Sequence, residues 1–78
     1  MKLEVISPEK ELYSGEVEHV TFPGTGGSFG VLKDHAPIVS TLKKGEIIVT
    51  ELNKTIQTIS VTSGVVEIFN NKISVLAE

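Results

Sequence analysis

Apolar and polar residues alternate along this chain with the period of a β-strand, and no stretch carries a helical period. Lys2-Leu3-Glu4-Val5-Ile6 alternates with Leu3 and Val5 on one face. Ser7-Pro8-Glu9-Lys10 breaks the run, because proline cannot donate to a ladder. Glu11 to Phe22 reads as strand again, interrupted near Ser14-Gly15. A Gly-rich stretch follows, and strand character resumes over Ile38–Leu42. Lys43-Lys44-Gly45 turns. Glu46 to Leu52 is a strand, Asn53-Lys54 a tight hairpin turn, and Thr55 to Thr62 the return strand. Val65–Phe69 and Lys72–Leu76 are joined by Asn70-Asn71, and asparagine tolerates the left-handed backbone that a two-residue hairpin needs. In Ile56-Gln57-Thr58-Ile59 the apolar positions switch parity, which predicts a bulge or a change of sheet. Many short strands with regular turns predict an all-β sandwich or barrel.

The chain has 78 residues and no internal boundary, so residues 1–78 are expected to form one domain. A domain of this size buries only about 60–65% of the surface that its unfolded chain exposes. It has no cysteine, so no disulfide staples it and no thiolate binds metal. The net charge is −3, and all seven basic residues are scattered lysines. Without arginine or a basic stripe, nucleic-acid binding is not expected. No apolar run follows the first lysine, so the N-terminus does not read as a signal peptide. The longest apolar run, Ile47-Ile48-Val49, is far too short to span a membrane.

Candidate chemistry gathers in PGTGGSFGVLKDHAP, residues 23–37, which holds four of the seven glycines. A dinucleotide fingerprint would need a third glycine where Phe29 stands, and a helix after it. A P-loop would need Gly-Lys-Ser/Thr, which is absent. Turns in which glycine supplies positive φ explain the stretch better. Asp34 and His35 are adjacent, and in extended chain such neighbours point to opposite faces, so Asp34 is poorly placed to orient His35 towards a serine. Asp34 reads as a turn residue capping a local amide. His35 reads as either a packed, hydrogen-bonded residue or an interface contact. His19 reads as a strand residue at a sheet surface. No ligand pair of known spacing suggests a metal. Glu16 and Glu18 read as a solvated face that discourages edge pairing. The turn lysines of Lys43-Lys44-Gly45 and Asn53-Lys54 leave open a biotinyl- or lipoyl-type carrier domain, although the Met-Lys-Met or Asp-Lys-Ala surroundings of such carriers are missing. No catalytic residue, cofactor or metal is expected.

The order of segments resembles the epsilon subunit of F-type ATP synthases over the whole chain. Leu3-Glu4-Val5-Ile6-Ser7-Pro8-Glu9-Lys10 and Tyr13-Ser14-Gly15-Glu16-Val17 look like its opening elements. Phe22-Pro23-Gly24-Thr25, Phe29-Gly30-Val31-Leu32 and His35-Ala36-Pro37 are the most specific part. Ser63-Gly64-Val65-Val66-Glu67-Ile68 and Asn71-Lys72-Ile73-Ser74-Val75-Leu76-Ala77 resemble its closing strands. The chain departs from the family where Lys33-Asp34 replaces the common Pro-Gly or Pro-Asn before His-Ala-Pro. It also lacks an acid between Thr25 and Ser28, and has Ser63-Gly64-Val65 for Gly-Gly-Phe.

The resemblance implies a flattened β-sandwich of two roughly five-stranded sheets. It implies a non-catalytic rotor subunit of the central stalk, linking the gamma subunit to the c-ring of a proton-translocating enzyme. The alpha/beta catalytic head would be reached indirectly. The membrane would be reached only through the complex, on the cytoplasmic face of a bacterial inner membrane or its matrix or stromal equivalent. Carried over residue by residue, Gly26, Gly27, Ser28 and Phe29, with Ser28 at the tip, are expected at the c-ring, with Lys33 nearby. Ser7, His35 and Ser40 are expected at gamma. Many family members continue into a two-helix hairpin past the position of Ala77, and neither that inhibitory arm nor its ATP site is expected here.

Overall fold

A computed structural model describes all 78 residues. Eight strands form, in order β1 (Lys2–Ile6), β2 (Glu11–Gly24), β3 (Gly27–Val31), β4 (Ile38–Leu42), β5 (Gly45–Glu51), β6 (Ile56–Val61), β7 (Gly64–Phe69) and β8 (Lys72–Ala77). They make one continuous mixed sheet in the order β1-β8-β7-β4-β2-β5-β6, with β3 paired to β2 and β1 paired to both β8 and β2. Every neighbouring pair is antiparallel except β1 and β8.

The sheet folds into two layers because β2 is long enough to serve both. Its first part, Glu11 to Glu16, pairs with β1. Its second part, from Val17 on, pairs with β5 and β3. One layer is therefore β4-β7-β8-β1 with the start of β2. The other is β3, the end of β2, β5 and β6. The ladder to β5 shifts register between Val17 and His19, at the point of transfer, and such a shift adds local bend and twist. The outcome is a flattened body of 27 × 24 × 18 Å. Gly15 does not interrupt β2; it pairs with Leu3.

Alternation decides what is buried. Leu3 and Val5, Ile47 and Val49, Val66 and Ile68, and Ile73, Val75 and Ala77 point inward from their strands and meet Val17, Val20, Phe22, Val31, Leu42 and Val61 in one core. Burying each valine, leucine, isoleucine or phenylalanine fully contributes roughly 1.5–3 kcal/mol. No polar residue is buried in this core. Its specificity therefore rests on shape and register.

The switch of parity in β6 has a different cause from the one expected. β6 pairs with β5 in unbroken register from Val61 to Ile56. Ile59 and Val61 face inward, while Ile56 stands exposed on the outer surface of an edge strand. The bulges lie at Val5/Ile6 and Val17/His19 instead. Glu16 and Glu18 are solvated, as expected, and they flank the point where the β1 ladder ends at Glu16 and the β5 ladder begins at Val17. Glu18 binds Lys54 Nζ through both oxygens, at 2.6 and 2.7 Å. The loop from β5 to β6 is longer than two residues, and Lys54 takes φ 73° within it. Asn70 and Asn71 do form the tight β7–β8 turn, at φ 50° and 60°.

Two side chains secure the bend in β2. Tyr13 lies against Gly15, and its hydroxyl donates to Glu51 Oε2 at 2.6 Å. Burial first, then this hydrogen bond and the Glu51 charge, push the phenol from its ordinary 10.0 up to about 12. A pKa raised on folding makes the protonated form the one that the fold favours. The stabilisation is complete below pH 10.0 and is lost as pH climbs to about 12. Tyr13 is the chain's only tyrosine, so its tyrosinate ultraviolet absorbance in the folded protein should titrate near 12, and that of the urea-unfolded chain near 10. Replacing Tyr13 by Phe should flatten the fall of stability across that interval; an equally steep fall in the variant would show that another group is responsible.

Gly24 lies where β2, β3 and β4 converge. A Cβ there would stand 2.6 Å from the Gly27 carbonyl oxygen and 2.9 Å from the Phe29 ring. Gly24→Ala is expected to cost about 1–3 kcal/mol by urea unfolding, as overpacking does. Gly26→Ala, whose methyl meets nothing within 4 Å, should stay within about 0.5 kcal/mol of wild type.

Candidate interaction surface

Residues 23–37, read as a turn system, fold as half of a hairpin followed by a loop. Phe22 and Phe29 face each other across β2 and β3, with ring centroids 5.5 Å apart. The glycines permit this close packing: Gly24 leaves room for the Phe29 ring, and Gly30 leaves room for the His19 imidazole. Only Gly27 among them has positive φ, at 131°. The apex of the hairpin is Thr25-Gly26, and Ser28 is the second residue of β3. Gly26, Gly27 and Ser28 are exposed together, whereas Phe29 is turned inward and supports them. The apex is tied to β4 by Thr25 N–H donating to the Thr41 carbonyl at 3.1 Å and by a 2.7 Å contact between the two threonine hydroxyls.

Lys33, Asp34 and His35 lie elsewhere. They sit beside the Asn70–Asn71 turn, at the opposite end of the β4 and β7 strands from Thr41. Asp34 takes φ 64°. Its partner is not a local amide, as expected, but Asn71. Asp34 N–H donates to Asn71 Oδ1 at 2.7 Å, and Asn71 Nδ2 donates to Asp34 Oδ1 at 3.1 Å. His35 is half-buried, and its Nδ1 lies 2.6 Å from the Ala36 carbonyl, which places the proton on that nitrogen. Lys33 is exposed.

The three residues expected at gamma are not brought together. Ser7 is beyond the end of β1, and its hydroxyl closes the Ser7–Lys10 turn: it donates to the Lys10 carbonyl at 3.1 Å and accepts from the Lys10 amide at 3.3 Å. Ser40 is half-buried in β4 opposite Val66 with its hydroxyl on the Thr41 carbonyl. His35 marks the other end of the same layer.

What the layer does offer is an apolar outer face. Ile6, Leu76, Val65 and Thr41 form one cross-strand row. Two residues along each strand, on the same face, come Glu4, Ser74, Glu67 and Val39, and then Lys2, Lys72 and Phe69. Ile6, Val39, Val65, Phe69 and Leu76 are 41–68% exposed. A groove of about 570 Å³ runs beside Ile6, Pro8, Val65 and Leu76 with Ser7 at its rim. A smaller hollow of about 350 Å³ lies beside Pro37, Val39 and Phe69, at the His35 end. None of these five residues was singled out from the sequence. The available signal was a set of apolar pairs, Val5-Ile6, Ile38-Val39, Val65-Val66, Ile68-Phe69 and Leu76-Ala77, each placing one side chain inside and one outside.

Residues 1–78 match the family described as ATP synthase, Delta/Epsilon chain, beta-sandwich domain. A protein named ATP synthase epsilon chain from Leptospira interrogans is 46% identical over 78 residues, which are 100% of this chain and 61% of that relative. One of the same name from Sulfurimonas denitrificans is 37% identical over 78 residues, 60% of its length. The chain thus spans about three fifths of the relatives it matches. Among solved structures, the mitochondrial ATP synthase of Euglena gracilis (OSCP/F1/c-ring) superimposes with a TM-score of 0.90 at 17% identity, over 96% of this chain and 48% of the other. The central stalk/c-ring structure of the Tetrahymena thermophila mitochondrial ATP synthase gives 0.82 at 16% identity, over 99% and 62%. At such identities the superpositions show the shared fold. By sequence and fold alike, the chain belongs to the delta/epsilon-chain β-sandwich domain family of ATP synthases.

Proposed function

We propose that this domain is a non-catalytic rotor element of a proton-translocating F-type ATP synthase, joining the gamma subunit to the c-ring and helping to couple ion flow to ATP synthesis. Family membership and the names of the relatives support the complex. The observation that carries the docking role is the outer face of the β4-β7-β8-β1 layer. An antiparallel sandwich normally turns polar side chains outward, and this layer turns out five large apolar ones. Large apolar side chains gathered on one exposed face in this way mark a partner surface.

Gamma covers this face, from the groove at Ser7 to the His35 edge. The exposed hairpin of Gly26, Gly27 and Ser28 meets the polar loops of the c-ring, with Phe29 bracing it from beneath. Lys33 belongs with the His35 edge. The role is mechanical: a close-packed sandwich deforms little under load, and an ordered surface lowers the entropic cost of docking. The domain reaches the catalytic head indirectly and the membrane only through the complex. It works peripherally, on the cytoplasmic face or its matrix or stromal equivalent.

Titration calorimetry against the cognate gamma subunit should show one-to-one binding with a negative heat-capacity change, as apolar burial requires. Val65→Ser and Phe69→Ser, both at exposed positions, should each weaken binding by about tenfold or more while leaving the unfolding midpoint near wild type. Wild-type protein that fails to bind gamma would refute the docking role. Unchanged affinity in both variants would move the interface to another face.

A further inference from the structure

The Leu32–Pro37 loop joins β3 to β4 across the end of the apolar face. Within it the chain makes one backbone hydrogen bond, His35 N–H to the Leu32 carbonyl at 3.2 Å. His35 Nδ1 adds a local contact to the Ala36 carbonyl at 2.6 Å, and what ties the loop to the rest of the domain by side-chain hydrogen bonds is the reciprocal pair between Asp34 and Asn71, separated by 37 residues in sequence. Asn71 is itself fixed. It sits in the β7–β8 turn at φ 60°, and its carbonyl accepts from Lys2 N–H at 2.9 Å. Asn71 therefore joins three segments: β1, the β7–β8 turn and the loop. Asp34 meets it from a left-handed conformation, φ 64°, which asparagine and aspartate adopt more readily than other residues with a side chain. Immediately beyond Asp34 come His35 and Pro37, the latter lining the hollow with Val39 and Phe69.

We propose that Asp34 and Asn71 form a clamp that presets the Leu32–Pro37 loop for docking, making Asn71 a positioning residue of the partner-binding face. The inference rests on the gamma-docking reading above. The pair is exposed on the Asp34 side and half-buried on the Asn71 side, so it adds little to global stability. Its effect is on the loop's ensemble. Released from Asn71, six residues would keep only local contacts, the His35 to Leu32 turn bond and the His35 ring on the Ala36 carbonyl, and the partner would have to order them on binding.

The geometry supplies a test by exchange of groups. Asn71→Asp sets two carboxylates against each other and removes the amide donor. Adding Asp34→Asn restores one amide and one carboxylate in reversed order, with residues suited to both left-handed positions. In N71D, amide hydrogen exchange at Asp34 and His35 should speed up by about tenfold or more, while exchange at Val66 and Val75 in the core stays at the wild-type rate. Gamma affinity, by calorimetry, should fall about tenfold. The D34N/N71D double variant should recover both to within about twofold of wild type. The proposal is overturned if N71D binds gamma as wild type does, or if the double variant fails to recover affinity while its loop exchange returns to normal. Wild-type protein that does not bind gamma overturns the docking reading and this inference with it, an outcome visible before any substitution is made.

Discussion

Strand β2 holds the two layers together, because it is the one strand that pairs into both. Its first part completes the ladder of β1; its second part templates β3 and β5; its last residue meets Leu42 of β4. A rigid, untwisted strand of that length could not do this. The register shift at Val17/His19 supplies the bend, and the Tyr13 hydroxyl on Glu51 spans it. Everything apolar then follows from alternation about that bend, with fifteen side chains in one core. No helix, disulfide or buried polar network contributes. The margin for a domain of this size is narrow, so register has to be set at the turns. The left-handed backbones of Asn70 and Asn71 do this for the β7–β8 hairpin.

The irregular segments are held to this frame by side chains, since their backbones have few partners of their own. Ser7 closes its own turn on Lys10. Thr25 ties the β2–β3 apex to Thr41. Asp34 ties the β3–β4 loop to Asn71. Each such exposed hydrogen bond contributes only about 0.5–1.5 kcal/mol. Their importance lies in what they fix: three surface segments at the margins of an apolar face, each held at a known place. Segments ordered in advance lower the entropic cost of any docking on this face.

Much of this was legible in the chain, for a physical reason. Strands with one wet face announce themselves, so Lys2–Ile6, Glu46–Leu52 and Lys72–Leu76 could be drawn from alternation, and Asn70-Asn71 from turn chemistry. β3 was hidden because Gly27 and Gly30 have no side chain to alternate; only Phe29 and Val31 mark its inner face. Ile56 misled because an edge strand tolerates an exposed isoleucine. That Ser7, Ser40 and His35 lie apart, with Ser40 on the inward parity of β4, could not be read, since it depends on which strands lie between them. The apolar doublets carried the better signal. A strand apolar on both sides of its pleat, such as Val65-Val66 or Leu76-Ala77, buries one side by folding and leaves the other exposed.

The composition of that face also constrains what can cover it. Glu67 stands in its middle, between Val65 and Phe69 along β7 and between Val39 and Ser74 across the sheet. Glu4 has Lys72 Nζ at 3.8 Å, but Glu67 has no ion pair within the domain. Burying an unpaired carboxylate costs several kcal/mol, enough to cancel the gain from two or three apolar anchors around it. A partner that covers this face must therefore bring a cation or hydrogen-bond donors to Glu67, or leave it a path to water. The apolar residues supply affinity without selecting among greasy surfaces. A carboxylate set among them would penalise any covering partner that lacks the matching charge.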